Sequence, residues 1–402
     1  MKIAFVTPWY GPHVTGGMET ITRQTVTRLR GAGFDIEVLT TCIRDFHADW
    51  SINYHRSGLD TFDGVPVRRF AVQQRDKAAF DRVNFQLMNG RAVSEVDEQL
   101  FLREMFRCPS LFDFIAENSG DYLFFFVPYM FPTTYRGAQI SPERSAIIPC
   151  LHDEAYAYLD VFRRVMPAVR AQLFFVHAER ELSERLYGRP PGQIREVVGG
   201  GVDDDVQGDA GRFRQKFGIH EPFFLYVGRR EAGKNVPQLL DYWQQYSQSS
   251  PSTPKLLLIG KGQILLPSPA VGDVATVVDL GFVSLQDKFD ACAAATALIQ
   301  PSLNESFSLV LMESWLVETP VLVHGHCAVT REHCRRANGG LYYTNFAEFA
   351  ATVDYLLQHP AIARKMGQNG RQYVLDNYRW PQIVEQYAGI IGQMEASMPA
   401  QT

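Results

Sequence analysis

The chain has 402 residues, 46% of them hydrophobic and 21% charged, a globular balance with length for two domains that each bury a core. Lysine plus arginine number 39 against 44 aspartates plus glutamates, so the formal net charge is −5 and no basic block offers a footprint for nucleic acid. The six cysteines form no C-x-x-C pair and share no zinc spacing with the histidines, which excludes a disulfide scaffold and suits reduced thiols in a reducing compartment.

The opening run from Met1 to Thr7 is apolar but stops at Pro8, with no small-residue cleavage site behind it, so it reads as a buried strand and not as a signal peptide. Further β-branched or aromatic runs at 36–40, 65–70, 123–127, 146–149 and 173–176 are too short for helices and read as strands. Between the first two lies an amphipathic stretch, 18–30, with Ile21, Val26 and Leu29 on one side and Gly31 and Gly33 past its end. Such alternation predicts a parallel sheet covered by helices on both faces. The segment 73–118 is charged, helical in pattern and long for one crossover; it reads as two or three inserted helices that serve packing, with acceptor binding or membrane contact as the other reading. No apolar run approaches the ~20 residues of a membrane helix.

The pattern weakens at the acidic run from Asp203 to Asp209, taken as the domain boundary. A second alternation follows, with strands at 223–227, 255–259, 276–280, 297–300 and 320–323 and helices at 236–248, 284–295, 307–317 and 346–358. Two further helical stretches, 361–377 and 381–394, close the chain. The fold class is therefore α/β, two Rossmann-like parallel-sheet domains facing a central cleft, with chemistry expected on loops at the carboxyl ends of the strands.

Four stretches could carry that chemistry. The strongest runs from Pro301 through Glu305, Ser306, Phe307, Ser308 and Leu309 to Glu313: a strand, a polar loop, then a helix whose first turn offers unpaired N–H groups to a diphosphate. Glu305 before the helix and Glu313, read as about two turns in, could accept hydrogen bonds from separate hydroxyls of one long ligand. The second runs from Tyr226 to Asn235 and places Arg229, Arg230 and Lys234 after a buried strand, where an anion would offset their charge. The third is the Gly16–Gly17 pair ahead of the first helix, where the backbone could approach a phosphate; it is not the G-x-G-x-x-G of a dinucleotide fold. The fourth is His152 with Asp153, past the strand at 146–149. Taken singly, each is as well or better explained as a solvated acid, a surface cation, a plain turn or a satisfied loop histidine. The ten histidines include no H-E-x-x-H, and His324 and His326 flank one glycine without further ligands, so no metal site is expected.

In this order, the motifs resemble the retaining glycosyltransferases of family 4, which have the GT-B fold. The resemblance spans nearly the whole chain: Thr15 to Glu19, Val198 to Asp203, Tyr226 to Arg229 with Lys234 and Asn235, Leu258 to Gly262, Leu280 to Val283, the E-x7-E pair Glu305 and Glu313, and Thr319 to Val321. It implies domains at 1–203 (acceptor side) and 204–378 (donor side), with 379–402 a helix crossing back to the first. It assigns the donor diphosphate to Arg229, Lys234 and the N–H groups of Ser308 and Leu309, approached by Gly16 and Gly17. It assigns the ribose to Glu313, the donor sugar to Glu305, Ser306 and Phe307, the base to the Val283 backbone, and the transferred sugar's surroundings to His152. The co-substrate would be a nucleotide-diphosphate sugar, with no cofactor and no metal, and the acceptor a glycan, a lipid-linked sugar or a small molecule. A cytoplasmic enzyme, at most in peripheral contact with the inner face of the plasma membrane, is implied. Where the family has asparagine and one glycine before Val202 and Asp203, this chain has Gly199, Gly200 and Gly201. A nucleotide-sugar epimerase, a glycosyl phosphorylase and an inactive sugar-nucleotide-binding subunit share the architecture and stay open, because a fold does not fix a reaction.

Overall fold

The computed structural model describes residues 1–230, 232–249, 254–262 and 276–397. Its contacts divide into two units: Met1–Gly201 joined by Trp380–Thr402, and Val202–Arg379.

The first unit is built on eight strands: β1 (Lys2–Thr7), β2 (Ile36–Thr41), β3 (Gly58–Phe62), β4 (Val65–Phe70), β5 (Tyr122–Phe126), β6 (Ser145–Ile147), β7 (Ala171–Phe174) and β8 (Ile194–Val197). Their order is β3-β4-β2-β1-β5-β6-β7-β8. All neighbours are parallel except β3, which returns antiparallel along β4. This edge strand was not among those expected from the sequence; the parallel sheet itself was. The return is made by the two-residue turn Asp63-Gly64, both with positive φ (51° and 74°), a geometry that closes a tight hairpin at the sheet edge. The central strands are buried on both faces, β5 from Tyr122 to Phe126 without interruption, as a sheet sandwiched by helices requires. The strands expected at 146–149 and 173–176 each start one or two residues earlier, at Ser145 and Ala171.

The 73–118 segment forms three helices, Lys77–Met88, Glu95–Glu104 and Pro109–Glu117. Phe80, Val83, Phe101, Leu102, Leu111 and Ile115 enter the same core as β1 and β5. The Phe80 and Phe101 rings stack at 5.0 Å. The insertion is thus an integral part of the first unit's interior. The last helix, Trp380–Ala396, belongs to the first unit as well: Tyr387 lies 6.5 Å from the Phe5 ring and 6.2 Å from Phe125, under the two central strands.

The second unit carries β9 (Phe223–Val227), β10 (Lys255–Ile259), β11 (Val277–Gly281), β12 (Ala297–Gln300), β13 (Val321–His324) and β14 (Gly340–Tyr343). The order is β11-β10-β9-β12-β13-β14, every pair parallel. Strand order reverses between β9 and β12, a switch point beyond whose carboxyl ends open α/β sheets carry a ligand crevice. A core of Phe224, Tyr226, Leu239, Trp243, Leu258, Ile299 and Phe349 holds this sheet to its helices.

Candidate functional site

The expected donor residues of the second unit lie on the loops at these strand ends. After β9 the chain turns at Gly228, whose N–H bonds Ile259 O at 2.9 Å, and Tyr226 Oη donates to Arg229 O at 2.6 Å. Arg230, 7% exposed, turns inward: it pairs with Asp279 and donates to Gly260 O at 2.7 Å. It is a strut between loops. A Cβ on Gly260 would lie 2.0 Å from Gly228 O, so glycine there permits the two loops to cross closely. Arg229 remains on the exposed side, and Glu231 of the same motif lies outside the described residues.

A single 3-10 turn, Ala232–Lys234, then delivers Lys234 beside the loop after β12. Its Nζ lies 2.7 Å from Glu305 Oε1, with the two side chains 25% and 9% exposed. Asn235, left-handed at φ 55°, fastens this turn to the other loop by donating to Pro301 O at 3.1 Å. Gln300, the last residue of β12, donates to Glu305 Oε1 at 3.1 Å and to Ser308 Oγ at 3.4 Å. One carboxylate oxygen therefore takes both an ammonium and an amide donor at the end of two adjacent strands.

The helix expected over 307–317 begins later, at Leu309, and ends at Leu316. Ser308 stands before it in the left-handed region (φ 68°, ψ 69°), which breaks helical geometry at that point. Glu313 is consequently one turn into the helix, not two. Its Oε1 accepts from Lys288 Nζ at 2.6 Å. Phe307 is buried: its ring meets His333 at 5.3 Å and Tyr378 at 5.0 Å, so the loop between Glu305 and Ser308 is nailed down from below. Burial pushes the His333 imidazole down to about 3, which keeps it neutral beneath the loop. Ser306 and Leu309 are half-buried beside it. Val283 follows β11, next to Phe282, which is 76% exposed with Lys261 Nζ 5.0 Å over its ring.

Gly16, Gly17 and His152 belong to the first unit. Gly16 caps the helix Gly17–Gly31 in an extended conformation (φ 165°), and a Cβ on it would overlap the Glu19 carboxylate at 2.1 Å. Nothing lies within 4 Å of a Cβ on Gly17, so that backbone faces open space. Glu19 accepts from Trp9 Nε1 at 3.2 Å. His152 is half-buried past β6, its Nδ1 3.6 Å from Glu154 Oε1. Among the described residues, no three His, Cys, Asp or Glu side chains converge as metal ligands would.

Sequence reasoning missed Gln300 and Lys288. A polar residue closing an otherwise apolar strand was a usable signal for Gln300. Lys288 had none, since it meets Glu313 across 25 residues. It also assigned no role to Glu179, a helix acid that is 2% exposed.

Residues 209–373 match the family model described as glycosyl transferases group 1. That span covers the crevice residues Arg229, Lys234, Glu305 and Glu313. The chain is similar to a putative glycosyltransferase, EpsD, of Bacillus subtilis, 25% identical over 233 residues, covering 54% of this chain and 59% of that protein. It is also similar to a trehalose synthase of Rubrobacter xylanophilus, 26% identical over 193 residues, 44% of this chain and 45% of that protein. The chain spans about half the length of the curated relatives it matches. Among solved structures, sucrose-phosphate synthase from Thermosynechococcus elongatus superposes with TM-score 0.69 at 17% identity, over 99% of this chain and 100% of that one. Anabaena HepE in complex with UDP and glucose gives 0.66 at 15% identity, over 98% and 99%. At such identities the likeness is one of fold.

Proposed function

We propose that this chain is a retaining glycosyltransferase that moves a hexose-type sugar from a nucleotide-diphosphate donor to a glycan, lipid-linked or small-molecule acceptor, without a metal ion. The observation that carries the reading is the meeting of Lys234 and Glu305 at the reversal point of the second unit's sheet, inside the span matched by the group 1 family model.

The roles are those that the family resemblance implies, and the chemistry of each side chain is compatible with them. Arg229 and Lys234 neutralise the departing diphosphate, with N–H groups of Ser308 and Leu309 at the helix start and the open Gly16–Gly17 backbone adding donors. Glu305 exchanges part of its hold on Lys234 for sugar hydroxyls, with Ser306 and Phe307 backbone groups beside it. Glu313 accepts from the ribose, and the Val283 backbone meets the base. His152 orients hydroxyls of the transferred sugar. The bond from the anomeric carbon to the phosphate oxygen breaks as the acceptor oxygen bonds the same face of that carbon. The acceptor proton passes to the leaving phosphate oxygen. The protein supplies position and fixed charge in place of a basic carboxylate opposite the leaving group.

HepE, by its description, binds UDP and glucose, which suggests a uridine donor as the first to try. A cytoplasmic site of action completes the reading; among the described residues no helix is long and apolar enough to cross a membrane.

The deciding experiment is a thermal-shift panel of UDP-, GDP-, ADP- and dTDP-sugars, then product analysis by proton NMR with the stabilising donor. Transfer with the donor's anomeric configuration kept supports the reading. An altered sugar formed without acceptor would mean an epimerase, and dependence on free phosphate a phosphorylase. Stabilisation without turnover would mean a binding subunit.

A further inference from the structure

Glu179 is the third residue of the helix His177–Tyr187 and is 2% exposed. Its two carboxylate oxygens are both committed to backbone N–H groups. Oε2 accepts from Phe175 N at 2.7 Å, just past β7, and Oε1 accepts from Leu151 N at 2.8 Å, just past β6. The Cys150 N–H lies against the same carboxylate. The bond to Phe175 is a local one, of the kind an acid in a first helical turn makes with the chain entering the helix. The bond to Leu151 crosses 28 residues and has no part in capping.

What it holds is unusual. Cys150 has φ 57°, the left-handed region, which costs a non-glycine residue about 1–2 kcal/mol and persists only where surroundings enforce it. Cys150 is 6% exposed, its Sγ 3.3 Å from Met18 Sδ, so solvent does not relieve the strain. The next side chain but one is His152.

We propose that Glu179 is the positioning residue of the His152 loop: its buried carboxylate pins the Cys150–Leu151 backbone to the start of the following helix and thereby fixes where the His152 imidazole stands. The proposal rests on the reading that His152 faces the transferred sugar. Glu154, which accepts from Tyr129 Oη at 3.3 Å, has its Oε1 3.6 Å from His152 Nδ1; Glu179 holds the backbone beneath the ring. The groups that face Glu179 are His152 and Cys150 from the loop after β6, with Glu19 of the first helix acting on Cys150 beyond them. Burial pushes the Glu179 carboxyl up to about 7, so the clamp titrates near neutrality.

The test compares wild type, Glu179→Gln, His152→Ala and the double variant, using the donor found by the thermal-shift panel. An amide has one oxygen, so Gln leaves either Leu151 or Phe175 facing an NH2 group. Glu179→Gln is expected to lower kcat about tenfold or more with donor KM within about twofold, because the loss falls on the reacting centre. In the His152→Ala background the same change is expected to add nothing. Losses that multiply, or a KM effect alone, overturn the proposal. Proton–nitrogen NMR gives a readout independent of turnover: the Leu151 amide should lose exchange protection in Glu179→Gln and the His152 ring signals should move, and unmoved ring signals overturn it. Should Glu179→Gln not fold, a pH titration of His152→Gln serves instead, with Leu151 and Phe175 amides expected to share one midpoint, higher than in wild type because the His152 charge that lowers it is gone, and separate midpoints overturning the clamp. If wild type transfers no sugar from any donor, the glycosyltransferase reading falls, while the spectra still decide whether Glu179 holds the loop.

Discussion

The Lys234 ammonium lies 2.7 Å from Glu305 Oε1, and Gln300 reaches the same oxygen at 3.1 Å. The turn after β9 supplies one donor and the end of β12 the other, and the acid sits where they meet. The pair is nearly sealed on the glutamate side and a quarter open on the lysine side, which leaves the ammonium reachable by an incoming anion.

Lys234→Ala is expected to reduce transfer ~10²–10³-fold, the usual loss for one donor aimed at developing negative charge. Because Glu305 keeps Gln300, the fold should survive with a modestly lowered Tm. Glu305→Gln should also cut kcat, and the double variant should lose less than the product of the two, since the side chains act as one unit. Steady-state kinetics on the three variants checks this; full additivity would mean two independent sites.

Glu305 and Glu313 share a chemistry and should fail differently. Glu313, paired with Lys288 a helical turn away from the loop, is assigned to ribose, whose bonds change little on the way to the transition state. Glu313→Gln should raise donor KM and leave kcat nearly intact. Glu305→Gln should lower kcat at saturating donor. An exchange of the two phenotypes would reverse the assignment.

Transfer should persist in excess EDTA, because Arg229, Lys234 and the helix start carry the positive charge that a divalent ion supplies elsewhere. Activity abolished by chelation and restored by manganese or magnesium would overturn this.

The Glu179 carboxyl gives stability an uncommon pH slope. Its folded value, about 7, stands above the 4.5 of an exposed glutamate, so between those values the native state holds a proton that the unfolded chain has released. Stability from this group is complete below about 4.5 and is lost as pH rises through about 7. The full swing is about 3 kcal/mol as an order of magnitude. Melting curves from pH 5 to 8.5 should show this component in wild type and not in Glu179→Gln; parallel slopes would refute it.

Gly201→Ala should destabilise the first unit. Its Cβ would fall 2.4 Å from the Trp380 ring, a rigid neighbour, and such overpacking costs about 1–3 kcal/mol. The three-glycine run before Val202 thus has a local reason at its last position. A Tm equal to wild type would mean that the ring moves aside freely.

What the chain reveals in advance is what neighbouring residues decide. The run Phe223–Val227 names itself as a buried strand, and the polar loop between Gln300 and Leu309 names itself as a strand-to-helix turn. The edge strand β3 is short and largely exposed, so it lacks the apolar signature, although Asp63-Gly64 was a readable hairpin signal. Ser308 could not be foreseen as a helix breaker, because serine carries no strong demand for a left-handed conformation. Nor could Lys288 with Glu313, or Glu179 with Leu151, since those partners are chosen by tertiary packing across 25 and 28 residues. Arg229 and Arg230 look alike in sequence, and the fold tells them apart by pairing Arg230 with Asp279 on β11 and with Gly260 O.

The chain leaves the first unit at Gly201 and re-enters it at Trp380, and at that point Val202 N bonds Tyr378 O at 2.9 Å. Exit and return are thus stitched together, and the second unit is in topological terms a cassette set into a single gap of its host. On the ribosome the consequence is an inverted order of completion. The cassette, continuous from 202 to 379, has its whole sequence before its host does, because the helix that puts Tyr387 beneath Phe5 and Phe125 is synthesised after it. Strand β1, made ahead of the cassette, waits for the whole of it before its own floor is laid.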